Sequence, residues 1–278
     1  MARIQAGPFN GMIPAVNNFL LPEAAASWAE NTDLFSGALV GLPEANPLYT
    51  LLNASTEKVY RLPENYDESD YLFDSSWIEF ASRNTDIVRA PVVGDTHDRY
   101  YWFSDVAAPK YNSRARLDNG DPEYLLGVPQ PAVPSLIVTG GSGATETRSY
   151  IVTWVSVFGE EGPASPAVTV TGFANGSWDI TLPTVDSDDK GGPDRDLDNT
   201  RIYRTVVGAS GVATYFLVSE ELITATSYSD TEAEADVIAN GEITALDFYP
   251  PPSDLEGCTM MPNGILAAWR NNDLWFSE

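Results

Sequence analysis

The chain has 278 residues, of which 43% are hydrophobic and 11% aromatic, so it carries enough apolar side chains for a packed core and global disorder is excluded. Fifteen basic residues stand against 40 acidic ones, a formal net charge of −25. Such a surface repels phosphates, so direct or sequence-specific binding of DNA or RNA is not expected. The same charge would suit solubility in a salty environment, or a lumen through which DNA slides without adhering.

Residues 1–48 are predicted to form an extended N-terminal arm, because prolines recur too often for a long element. One short helix is predicted after Pro22, over EAAASWAE. The opening residues lack the apolar stretch of a signal peptide, and no run of the sequence approaches the roughly 20 apolar residues of a membrane span. We therefore expect a protein made in the cytoplasm with no membrane span.

Residues 49–134 alternate apolar and polar positions in the segments EKVYRL, WIEFAS, DIVRAPVV and RYYWFS, which predicts an antiparallel β domain. One of its turns, GDTHD, holds His97, the only histidine, between Asp95 and Asp98. A Ser-His-Asp triad would have to use His97, but no nucleophile motif accompanies it. We expect an ordinary surface turn and assign no catalytic residue.

Residues 135–249 contain about seven strand-like segments at the spacing of a β-sandwich. The longest, YIVTWVSVF, is apolar on both faces and is therefore predicted to be a central strand. Its faces hold Tyr150, Val152 and Trp154 on one side and Ile151, Val155 and Val157 on the other.

A Gly-rich acidic loop, DSDDKGGPDRDLDNT, interrupts this region. Alternate carboxylates in such a loop can hold Ca²⁺, although the loop lacks the spacing and closing Glu of an EF-hand. A solvated acidic loop accounts for the same composition, so both interpretations stay open. The candidate ligands are Asp186, Asp188, Asp194 and Asp196.

Residues 250–278 follow a Pro-rich break and are predicted to return to the first β domain, which would make residues 135–249 an insertion. Gly264 to Arg270 and Leu274 to Phe276 are predicted as two strands, because Asn271 and Asn272 suit a tight hairpin turn. The last strand would leave backbone groups unpaired. Residues 2–6 or a neighbouring subunit could pair with it. Cys258, the only cysteine, is expected to be a core residue in a reducing compartment.

Two resemblances add to this pattern. The tyrosine strand that leads into GEEGPASP resembles fibronectin type III domains, although TRIYRT and TSYSD follow it here where the usual order is the reverse. The resemblance implies an all-β fold in which a fibronectin III/Ig-like β-sandwich, permuted or atypical, is inserted into the antiparallel β domain.

Three stretches in order resemble structural proteins of tailed bacteriophages: NNFLLPEAAASWAENTDLFSGALVGLP, VVGDTHDRYYWFSDVAAPKY, and the run from YIVTWVSVFGEEGPASP to the final FSE. In similar proteins the chain continues past this point, so we expect either a shortened relative or one part of a split protein. The resemblance implies a virion protein of the tail or neck, similar to nozzle or tail-tube proteins, made in the host cytoplasm.

Such a protein would be a non-enzymatic subunit without a cofactor, forming a ring with copies of itself and contacting other tail or neck proteins. Its expected interface residues are Phe9, Phe19, Trp28, Trp275 and Phe276, each of which could equally belong to local core. Two alternatives stay open: an adhesion or carbohydrate-binding module with Trp and Tyr on sandwich loops, and a virion-associated hydrolase with paired carboxylates.

Overall fold

A computed structural model describes residues 20, 25, 32–33, 40–41, 50–62, 77–90, 95–185, 196–207, 213–262 and 264–277. The chain divides into two compact units, Met1–Leu52 and Asn53–Glu278. In the first unit, β1 (Thr32–Asp33) pairs antiparallel with β2 (Val40–Gly41). The predicted short helix falls almost entirely outside the described residues.

Strands dominate the described part of the chain, and its two helices have six residues each, so the predicted all-β fold is confirmed. The physical basis is the abundance of aromatic and β-branched side chains at alternating positions, which pack well on a pleated surface. Every strand pair among the described residues is antiparallel.

The second unit begins with two small sheets. β3 (Lys58–Arg61) pairs with β4 (Trp77–Phe80). A four-stranded meander follows in chain order, and a helix, α1 (Arg114–Asn119), precedes its last strand. The strands of this meander are β5 (Thr85–Arg89), β6 (Arg99–Ser104), β7 (Ala107–Ser113) and β8 (Tyr124–Leu125).

The strand β6 is buried on both faces because its aromatic residues alternate sides. Tyr100 and Trp102 belong to one apolar cluster with Leu62 and Phe80, whereas Phe103 belongs to another. Tyr100 and Phe103 are both completely buried. Two-sided burial makes this strand the centre of the first β region.

A two-layer sandwich follows. One layer has the strand order β11-β10-β13-β14 and the other the order β15-β12-β9. The helix α2 (Glu234–Ala239) contacts β13 and β14. The strands are β9 (Ser135–Thr139), β10 (Thr145–Ser156), β11 (Val168–Phe173), β12 (Ser177–Thr181), β13 (Leu197–Val207), β14 (Ala213–Leu222) and β15 (Ser227–Asp230).

The predicted central strand is confirmed, since β10 lies between β11 and β13. Tyr150 and Val152 face the core between the two layers, which also contains Trp178. Ile151 packs on the opposite side in a smaller cluster with Tyr203. Val157, expected on the same strand, lies just beyond its end and is exposed. The fibronectin type III resemblance itself stays a prediction.

The C-terminal sheet consists of β16 (Gly257–Met260), β17 (Leu266–Arg270) and β18 (Asp273–Phe276), in that order. The predicted hairpin turn is confirmed, with Asn271 at a φ of 49°, while the first strand of the hairpin begins two residues later than Gly264.

This sheet packs against the meander. Leu255, Cys258 and Ala268 share a cluster with Phe103 of β6. Burial raises the pKa of the Cys258 thiol to about 12, with a further contribution from the nearby Asp86 carboxylate. The expected role of Cys258 as a core residue is thus confirmed.

Candidate assembly surface

The strand β18 lies at one end of the C-terminal sheet and is exposed along its whole length. Its three apolar side chains, Leu274, Trp275 and Phe276, are 66%, 37% and 57% exposed. Alternation places Leu274 and Phe276 on one face and Trp275 on the other. A strand that is apolar on both faces is typical of a sheet interior, yet among the described residues this one has a strand partner on one side only. We name these three residues the C-terminal patch.

The backbone of β18 also has an open side. The Ser277 amide donates to the Leu266 carbonyl at 2.9 Å, and Trp275 and Asp273 lie opposite Ala268 and Arg270 in the same register. In an antiparallel pair alternate residues bond the neighbouring strand. The amide and carbonyl groups of Leu274 and Phe276 therefore face away from β17.

A groove of about 510 Å³ adjoins the C-terminal patch. Its walls come from the meander, the turn after β10 of the sandwich, residues 247–252 and the C-terminal sheet, and most of the lining is aliphatic or aromatic. The side chains that define it are Tyr101, Tyr111, Phe248, Tyr249, Leu266 and Trp275. A pocket of this size can accept several side chains of a partner.

One wall of the groove is the GEEGP turn, which follows β10 of the sandwich and contacts the meander. Arg99 on β6 is 7% exposed and forms ion pairs with Glu160 at 2.5 Å and with Asp95 at 3.1 Å. Its guanidinium also lies 4.8 Å from the ring centre of Phe158, directly before the turn. The turn thus holds the two β regions together through a buried charge and an aromatic contact.

The carboxylate of Asp95 also holds the Arg99 side chain in place. Burial acts to raise its pKa, but hydrogen bonds from the Arg99 and His97 amides and from the Arg99 side chain outweigh it, and the pKa is lowered. Burial also raises the pKa of Tyr101, beside Arg99, to about 12. Both groups therefore keep one protonation state near neutral pH.

A second wall is the proline run at residues 250–252. Pro251 packs so closely on Gly127 that a Cβ at that glycine would lie 2.4 Å from the proline ring. Gly127 also has a φ of 82°, which favours glycine. Tyr249 precedes the run and is 84% exposed, beside the groove.

The C-terminal sheet is electrically neutral in an otherwise acidic protein. Residues 257–277 contain one basic residue, Arg270, and one acidic residue, Asp273, so their net charge is 1 − 1 = 0. The Arg270 guanidinium lies 5.3 Å from the ring centre of Trp275 and pairs with Asp254 at 2.6 Å. Apolar exposure and a low density of charged residues therefore coincide here.

Of the five expected interface residues, the structure places Trp275 and Phe276 at the groove. Phe9, Phe19 and Trp28 lie outside the described residues. Sequence reasoning missed Leu274 and Tyr249. The unbroken run of three apolar residues, LWF, could have identified Leu274, because such a run is apolar on both strand faces.

The predicted calcium ligands are only partly described. Asp186, Asp188 and Asp194 lie outside the described residues. Asp196 hydrogen bonds with Tyr124 of the meander, and burial raises the pKa of its carboxyl group. In the described part of the chain, no group of three or more His, Cys, Asp and Glu side chains is placed to hold a metal ion.

His97 lies in an exposed turn, as expected, with its ring 4.8 Å from that of Phe158 in an edge-on contact. The neighbouring carboxylates are engaged elsewhere, Asp95 with Arg99 and Asp98 with Arg89. Among the described residues, no hydroxyl or thiol hydrogen bonds with the His97 ring. This geometry assigns His97 a packing role where the meander contacts the sandwich.

No protein-family model matches the sequence, and a search of curated proteins finds no significant match. Within the described ranges, neither helix has the length or apolar character needed to cross a bilayer.

Proposed function

We propose that this protein is a structural subunit of a tailed-bacteriophage virion, in the tail or neck, which assembles with copies of itself into a ring around the DNA exit path. The proposal rests on the phage resemblance of the sequence and on one structural observation, the C-terminal patch. Large apolar side chains on an open strand edge are typical of interaction sites, since monomeric proteins usually cover or blunt such edges.

The architecture supports a load-bearing role. The sandwich and the meander are joined by the ion pair between buried Arg99 and half-exposed Glu160, and by Phe158, which packs against Tyr111. In addition, the side-chain amide of Gln130 donates to the Ala164 carbonyl at 2.7 Å. Several contacts of different kinds at one joint favour a fixed orientation of the two β regions.

The net charge of the protein supports a location around the DNA exit path. A formal net charge of −25 gives the protein an acidic surface, which would let a DNA strand pass without being retained. Contact between subunits would then depend on surfaces that are not acidic, of which the C-terminal sheet is one.

The test is native mass spectrometry and negative-stain electron microscopy of the purified protein. We expect closed rings of one stoichiometry, and we expect the double change Trp275→Ser with Phe276→Ser to release monomers by removing apolar contact area. Val106→Ser is the matched control, because Val106 is 65% exposed in the turn between β6 and β7, away from the patch.

A protein that remains monomeric at all accessible concentrations, alone and with tail proteins, would contradict the proposal. Binding of that monomer to glycans would favour the adhesion alternative. That alternative requires exposed aromatic side chains on the sandwich, whereas Trp154 and Trp178 are buried there at 2% and 1% exposure.

A further inference from the structure

We propose that a strand of a second copy of this chain adds to the open edge of β18 and hydrogen bonds with the backbone of Leu274 and Phe276. This inference rests on the proposed function and specifies the contact by which two copies meet. It makes β18 an internal strand of a sheet shared between subunits.

Backbone hydrogen bonding favours strand addition at this edge. Asp273, Trp275 and Ser277 hydrogen bond with β17. Leu274 and Phe276 therefore present two amides and two carbonyls to the open side. The described residues place no strand against them. An added strand would satisfy all four groups with regular antiparallel or parallel geometry.

Side-chain burial favours strand addition as well. At an edge, each apolar residue of β18 loses the cover that a neighbouring strand provides. An added strand would place side chains beside Leu274 and Phe276 on one face, and beside Trp275 on the face that borders the groove. The apolar run of β18 is suited to burial on both faces.

The distribution of charge points to an identical copy as the partner. Two chains that each carry a net charge of −25 repel each other over most of their surfaces. They can approach most closely through a neutral region, and residues 257–277 have a net charge of zero. A basic partner, in contrast, would be drawn to the acidic faces and would gain nothing from neutrality here.

The test compares two changes at one position. Leu274→Pro removes an amide that faces the open edge and leaves the ladder with β17 intact, because proline is tolerated at such edge positions. Leu274→Ala shortens the same side chain but keeps the amide. In the purified protein alone, we expect the proline variant to weaken self-association about tenfold more than the alanine variant, as measured by analytical ultracentrifugation.

Amide hydrogen exchange with residue resolution provides the second measurement. The amides of Leu274 and Phe276 should become protected on assembly, whereas that of Trp275, which bonds β17, should be protected in both states. The unfolding midpoint in denaturant verifies that both variants are folded.

The outcomes separate the two proposals. If the wild-type protein assembles but the proline and alanine variants associate equally, or if the two amides stay unprotected, strand addition is wrong and ring assembly stands. If the wild-type protein does not self-associate at all, either alone or with tail proteins, the proposed function fails as well.

Discussion

At the scale of single residues, Asp196 is a loop residue that contacts both the sandwich and the meander. It has a positive φ of 54°, a conformation that Asp and Asn tolerate, and its backbone carbonyl accepts the Val157 amide at 2.9 Å. Its side chain is partly buried against Tyr124. The residue therefore links the sandwich to the meander whether or not its loop binds calcium.

Asp196→Asn is expected to stabilise the protein at neutral pH. Burial raises the pKa of the Asp196 carboxyl group in the folded state, despite the opposing hydrogen bond with Tyr124. A raised carboxyl pKa means that the folded state binds the proton more tightly, so stability is highest below the unfolded pKa of about 3.9 and falls as pH rises through the folded value. Asparagine removes that neutral-pH penalty and keeps an acceptor for Tyr124.

The measurement is the denaturant midpoint of wild type and variant at pH 7 and pH 4.5. The advantage of the variant should shrink at the lower pH. Asp247→Asn, at an exposed position beyond α2, is the control for removing one of 40 acidic charges. Equal gains from both variants would assign the effect to net charge instead of burial.

At the scale of elements, the two layers of the sandwich are joined by one carboxylate. Asp230 on β15 is completely buried as a side chain and accepts hydrogen bonds from Tyr150 at 2.6 Å, Arg204 at 2.5 Å and Arg148 at 3.3 Å. β15 belongs to one layer, while β10 and β13, which carry the three donors, belong to the other. The contact thus connects the two layers across the core.

Asp230→Ala is expected to lower the free energy of unfolding by about 3–5 kcal/mol, because it leaves the buried Arg204 charge without its carboxylate partner, while Arg204 keeps its hydrogen bond to the Glu232 carbonyl. Chemical denaturation measures this loss. Asp179→Ala is the control, since Asp179 accepts hydrogen bonds from Ser177, Ser229 and Thr139, which belong to its own layer, and is partly exposed. Similar losses for both variants would refute the bridging role.

At the scale of the whole molecule, charge and apolar exposure are distributed unequally. The chain carries 40 acidic residues, but only one of them falls within residues 257–277, which form the C-terminal sheet and its connections. Repulsion between copies therefore opposes contact in general, whereas the C-terminal patch offers apolar area that favours it. Assembly would be a balance of these two effects.

That balance predicts an unusual salt dependence. Raising the ionic strength from 0.05 to about 0.5 M shortens the Debye length from roughly 14 to 4 Å and weakens repulsion between acidic copies. We expect self-association to strengthen with salt, as measured by sedimentation equilibrium. Weakening with salt would instead indicate attraction between opposite charges at the contact.

The sequence by itself determined those features that depend on local pattern. Two-sided apolar alternation in YIVTWVSVF predicted the central strand β10, and the paired asparagines predicted the hairpin turn at Asn271, because strand periodicity and turn conformation are set by neighbouring residues. Trp275 and Phe276 could be selected for the same reason, as apolar residues of a closing strand.

Only the tertiary structure decided which distant residues meet. Arg99 and Glu160 are 61 positions apart, and Tyr150 and Asp230 are 80 apart. No local period encodes such pairs in a chain with 40 acidic residues, where almost every basic side chain has many possible partners. The groove beside Trp275 arises in the same way, from three regions that fold against one another, and so its walls followed from packing alone.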